Sequence, residues 1–118
     1  MRVPPDARPA GAATRRMSHM RVCLKVQIPV EAGNKAIIDG GMQTNLKTLM
    51  DRVRPEAAYF FPQDGMRGMM LFFDLEDTAS IPPLVEPLFE GFNAKVEMTP
   101  VMNLDDLMAG LKKIESSR

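Results

Sequence analysis

Apolar and polar residues alternate without a break from Arg21 to Ile28. Val22, Leu24, Val26 and Ile28 fall on one side, and Arg21, Cys23, Lys25 and Gln27 on the other. A period of two marks a half-buried strand, and Pro29 stops it. From Glu31 to Arg54 the period changes. Ala36 and Ile37, then Met42, Leu46, Leu49, Met50 and Val53, recur at helical spacing. Gly40-Gly41 interrupts this segment. Two glycines cost about 2 kcal/mol against two alanines in a continuous helix, so a break or kink is predicted there. Unbroken, the segment would form a rod of about 36 Å, against about 26 Å for the strand beside it. Pro55 ends the helix.

The stretch Ala57 to Leu75 reads as a β-hairpin. Asp64-Gly65 separates two apolar, aromatic runs, and both residues tolerate the positive φ of a type I′ turn. With these two as the loop, Tyr59 faces Met70, Phe60 faces Met69 and Phe61 faces Gly68. Ala58, Phe60, Met69, Leu71, Phe73 and Leu75 then share a face that should meet helices. The other face carries Ala57, Tyr59, Phe61, Gly68, Met70, Phe72 and Asp74. It is apolar until Asp74. A strand apolar on both sides is buried on both sides, so a second covering layer is expected.

Thr78 or Ser80 is a candidate cap for the next helix, with Pro82-Pro83 in its first turn. Ile81, Leu84, Val85, Leu88 and Phe92 form its apolar stripe. Pro87 should kink it, and Gly91 or Asn93 should end it. Ala94 to Met102 reads as the fourth strand, with Ala94, Val96 and Met98 inward and Lys95, Glu97 and Thr99 outward. Asn103 to Asp106 resembles a capping box. Leu104, Leu107, Met108, Leu111 and Ile114 line one side of a final helix.

The order is β-α-β-β-α-β-α. Its first six elements follow the ferredoxin-like βαββαβ pattern, and the last helix is an addition. The predicted class is therefore α+β, with a four-stranded antiparallel sheet in the order 4-1-3-2. Both crossover helices lie on one side. The opposite, open face would carry Lys25, Gln27, Tyr59, Phe61, Met70, Phe72, Lys95, Glu97 and Thr99. It is half aromatic and apolar, and half charged. An apolar patch of that kind marks an interaction surface. The same face of a second subunit covers it economically, giving a dimeric α+β barrel with room for a small-molecule pocket.

Composition narrows the function. At 118 residues the chain suits one domain. Fifteen basic residues balance fifteen acidic ones, so no global field favours nucleic acid or membrane. The charges are uneven along the chain. Arg2, Arg8, Arg15 and Arg16 precede Met20 with only Asp6 against them. Without those five, eleven basic and fourteen acidic residues remain, a net of −3. Residues 1–19, rich in Pro, Ala and Arg, read as a disordered extension to a domain at 20–118. One cysteine excludes an internal disulfide and fits a reducing, cytoplasmic compartment. No apolar run is long enough to span a bilayer. His19 is the only histidine and lies in the extension, which removes most Ser-His, Cys-His and His-metal chemistry from the domain. Neither a metal nor a cofactor is called for. Eleven methionines suit a soft core filler, or an adaptable pocket wall.

Lys25, Gln27, Tyr59, Met70, Phe72 and Glu97 are the candidate pocket residues. Lys25 and Glu97 fall on adjacent strands, where they make either a cross-strand ion pair or a polar anchor for a ligand. Tyr59, the only tyrosine, either packs at the dimer interface or orients a ligand through its hydroxyl. Cys23 shares the face but has no histidine to activate it. Glu86 before Pro87 is a surface carboxylate, and Gly40-Gly41 either simply breaks the helix or loops over the barrel mouth. The βαββαβ order also invites comparison with RNA-binding domains, and Arg67-Gly68 fits the start of their strand-three signature. The base-stacking positions would be Met69, Leu71 and Cys23. With no aromatic at any of them, that reading fails.

The runs KVQIPVEAGNKAI (Lys25 to Ile37), PEAAYFFPQDG (Pro55 to Gly65) and EPLFEGFNAKVEMTPVM (Glu86 to Met102), with the closing DDL (Asp105 to Leu107), resemble a family of small bacterial proteins. That family is a domain-of-unknown-function branch of the dimeric α+β barrel superfamily. The resemblance spans nearly all of Met20 to Leu111. It implies a ferredoxin-like homodimer. The superfamily includes cofactor-free isomerases such as muconolactone isomerase, antibiotic-biosynthesis-type monooxygenases and stress-response barrels. Their acid-base groups are mostly pocket histidines or tyrosines, and this domain has no histidine. The expected function is binding of a small, partly apolar molecule inside a homodimer. The alternative is a cofactor-free isomerase or monooxygenase acting on a small organic acid or aromatic, with Lys25, Tyr59 and Glu97 as its polar set.

Overall fold

The structure, a computed structural model, describes residues 19–118. The extension expected before Met20 lies, but for His19, outside the described residues. The elements run β1 (Met20–Ile28), α1 (Val30–Ile38), α2 (Gly41–Val53), β2 (Ala57–Gln63), β3 (Met66–Leu75), a 3-10 turn (Thr78–Ser80), α3 (Ile81–Phe92), β4 (Lys95–Pro100) and α4 (Leu104–Ser116). The four strands form one antiparallel sheet in the order β2-β3-β1-β4. This is the ferredoxin-like arrangement with a helix added at its end.

Local chemistry explains the joints. Asp64 and Gly65 both take positive φ, 54° and 75°, as a type I′ turn requires. The hairpin register then pairs Tyr59 with Met70, Phe60 with Met69 and Phe61 with Gly68, as the alternation predicted. The break between α1 and α2 falls at Gly40, whose φ of 83° suits only glycine well. Asp39 Oδ1 accepts from the Gly41 N–H at 2.8 Å, so a side chain secures the turn. The helix after β3 is entered differently from expectation. Ser80 occupies its N-cap position, but its side chain makes no cap hydrogen bond. Asp77 accepts from the Ser80 N–H at 3.1 Å, caps the 3-10 turn, and α3 follows without a side-chain cap of its own. Asn93 ends α3 at φ 51°. β4 is shorter than predicted, and Ala94 lies just before it.

The core sits between the sheet and helices α1 to α3. Val22, Leu24, Val26 and Ile28 of β1 meet Met69, Leu71, Phe73 and Leu75 of β3 on the helix side. Leu24 and Leu71 stand opposite each other and are both 0% exposed. Leu84, Leu88 and Phe92 of α3 and Leu49 of α2 close over them. One expected core residue is missing. Phe60 was placed on the helix-facing side with Met69, yet it is 56% exposed. The reason is its strand. β2 is the edge of the sheet; Ala58 still packs against the core, but the helix layer does not reach over Phe60.

Helix α4 stands apart. Asn103 Oδ1 accepts from the Asp106 N–H at 2.8 Å, and Asp106 Oδ2 accepts from the Asn103 N–H at 3.1 Å. This is the predicted capping box. Yet no residue of α4 is buried. Leu104, Leu107, Met108, Leu111 and Ile114 are all exposed, so the stripe has no partner among the described residues.

Candidate functional site

The register assembles the open face in transverse rows. The central row runs Tyr59, Met70, Lys25, Glu97, one residue from each strand. A second row holds Ala57, Phe72, Cys23 and Thr99, and a third holds Phe61, Gly68, Gln27 and Lys95. All six predicted pocket residues therefore share one face, as alternation requires. Tyr59 is 64% exposed, while Phe61, Met70, Phe72 and Lys25 are half-buried. β3, one of the two central strands, thus keeps an apolar second face that no element among the described residues covers.

The polar members behave unequally. Gln27 is already engaged. It is 9% exposed, and its Nε2 donates to Gln63 O at 3.4 Å and Asp64 Oδ2 at 3.3 Å. Gly68 stands opposite Gln27, and a Cβ there would come 3.5 Å from the Gln63 Cβ, so its lack of a side chain leaves room for this approach. Gln27 therefore ties the hairpin turn to β1. The Gln63 Oε1 atom is buried with no hydrogen-bond partner. Lys25 and Glu97 are direct neighbours across β1 and β4, but no ion pair within 4.0 Å joins them. Among the described residues neither charge has an ion-pair partner. Tyr59 and Glu97 stand on opposite edge strands, three strand spacings or about 14 Å apart. Lys25, Tyr59 and Glu97 thus do not converge within hydrogen-bond reach in one chain.

At the end of the face, Arg21 Nε donates to Glu56 Oε1 at 3.1 Å and Nη1 to Asp106 Oδ2 at 3.3 Å. The hydrogen bond to Glu56, with the carboxylate's charge, pushes the guanidinium pKa up. Asp106 belongs to the first turn of α4, so the root of that helix is fastened to the open-face side of the sheet. Cys23 is half-buried, and burial pushes its thiol pKa up, against a smaller opposing effect of Lys25. A raised pKa means less thiolate at neutral pH. Cys23 should thus react with Ellman's reagent at pH 7.5 several-fold more slowly than free cysteine, and at the free rate once urea unfolds the chain.

Two features singled out in the sequence do not contribute to this face. Gly41 lines a hollow with Ala36, Gly91 and Phe92 in the helix layer, so Gly40-Gly41 does not cover a pocket on the open side. Glu86 is exposed on α3. Among the described residues no helix is long and apolar enough to cross a membrane.

Arg67 was noted only as half of an Arg-Gly pair. Its Nη2 donates to Asn34 Oδ1 at 3.0 Å and its Nη1 to Val30 O at 3.4 Å. It lashes the hairpin to α1, and it passes over Gly33, where a Cβ would come 2.6 Å from Nη1. No periodic signal marks such a residue. The glycine facing it is the one trace in the sequence. No family model, curated protein or solved structure matches the chain.

Proposed function

We propose that the chain pairs with a second copy of itself through the open face, and that the paired faces hold a small, partly apolar molecule over the row Tyr59, Met70, Lys25, Glu97. The observation that carries this is the uncovered second face of β3, with Met70 and Phe72 beside a largely exposed Tyr59. An isologous pairing covers both copies with one contact. The unpartnered stripe of α4, rooted beside the same face by Arg21, supports assembly as well. Two facing sheets enclose a space of the kind that holds small ligands. The aromatic half of the row suits an apolar body. Lys25 and Glu97, which do not pair with each other, suit a polar end. This reading invokes no cofactor. The isomerase or monooxygenase reading needs its three polar groups together, and the sheet holds them apart, so no observation favours it.

Native mass spectrometry of the purified chain tests the proposal. The expected result is a dimer carrying additional small-molecule mass that is lost on denaturation. A dimer without adduct would retain the assembly and remove the ligand. A monomer at micromolar concentration would end both.

A further inference from the structure

On the helix side of the sheet, beyond the edge of the helix layer, the β2–β3 hairpin and helices α1 and α2 border a cleft of about 590 Å3. Its floor includes Ile28, Met42, Leu46 and Met69, which belong to or pack on the core. Phe60, Val30 and Ile37 form its walls and are 56%, 47% and 41% exposed. Large apolar side chains gathered in a concave surface are unusual in water unless something sits among them. The volume falls within the range of small-molecule sites. None of the six candidate pocket residues lines it; Phe61 and Gly68, at the hairpin end of the open face, border it.

Arg67 is the only charged residue lining the cleft. Its guanidinium is held in place by Asn34 and the Val30 carbonyl. Those two bonds use two of its five N–H donors, leaving three and a full positive charge. A fixed cation at the edge of an apolar hollow selects an anion attached to an apolar body, and a guanidinium matches a carboxylate in shape. We propose that this cleft binds a medium-chain carboxylic acid. The alkyl chain lies against Phe60, Ile37 and Met69, and the carboxylate accepts from Arg67.

Titration calorimetry of the full chain with octanoate and with octanol tests this. Wild type should bind octanoate about tenfold more tightly than octanol, the usual scale for one charge-assisted contact. Arg67→Gln should bring the two affinities together with little change for octanol. Because Arg67 also braces α1, Ile37→Glu provides a second variant at an exposed position. It should weaken octanoate more than octanol by like-charge repulsion. Amide shifts on titration should fall at Gly33, Phe60 and Gly65. Saturable binding of neither probe would overturn the proposal. So would an octanoate preference unchanged in both variants, or shifts confined to Tyr59, Met70 and Glu97.

Discussion

Phe72→Glu should convert the proposed dimer into folded monomers. Phe72 stands on the open face between Ala57 and Cys23 and contributes nothing to the core between sheet and helices. A glutamate there leaves that core intact. In a paired assembly its carboxylate would have to be buried or neutralised. Neutralising a group of ordinary pKa near 4.3 at pH 7 costs about 3.7 kcal/mol. An isologous interface contains the residue twice, so association should weaken by up to about five orders of magnitude. Light scattering coupled to size exclusion reads the mass, and circular dichroism checks that the sheet survives. A dimer that persists with unchanged affinity would place the interface elsewhere.

Its neighbour should do the opposite. Phe73 is 2% exposed and faces the helices, opposite Val22. Phe73→Ala removes most of a ring from a close-packed site, which typically costs about 3–5 kcal/mol. The total stability of such a domain is only about 5–15 kcal/mol, so the urea midpoint should fall by about a fifth or more. Phe72→Ala, one residue away, should cost the monomeric fold under about 1 kcal/mol, since that side chain is only half-buried. Urea unfolding under dilute, monomeric conditions separates the two. Equal losses would contradict the assignment of faces.

The contrast between these adjacent phenylalanines was legible in the sequence. A strand has a period of two whatever surrounds it, and Asp64-Gly65 admits one turn geometry and hence one register. The strand order followed from the ferredoxin-like order of elements, while the break at Gly40 was predicted on equally local grounds. So was the capping box at Asn103, because each depends on backbone preferences of a few neighbouring residues. The cap at Asp77 was missed because Thr78 and Ser80 offered competing oxygens within three positions. Choosing among them depends on where β3 lets the chain go.

What sequence could not decide was coverage. Phe60 has the right parity for the core and is exposed, because it lies on the edge strand beyond the reach of the helices. Gln27 has the right parity for a pocket and is spent on the hairpin turn, because Gly68 leaves its amide a path there. Lys25 and Glu97 were placed as neighbours by register, but only the tertiary structure shows that they make no ion pair. Arg67 reaches α1 across thirty-three residues of sequence to Asn34. The stripe of α4 looked like a core-facing stripe and is exposed along its length. Periodicity determined which residues share a face, because that follows from bond geometry along the chain. Whether a face is buried depends on which distant element arrives over it. Hydrophobic burial has no direction of its own, so only the packed fold decided that.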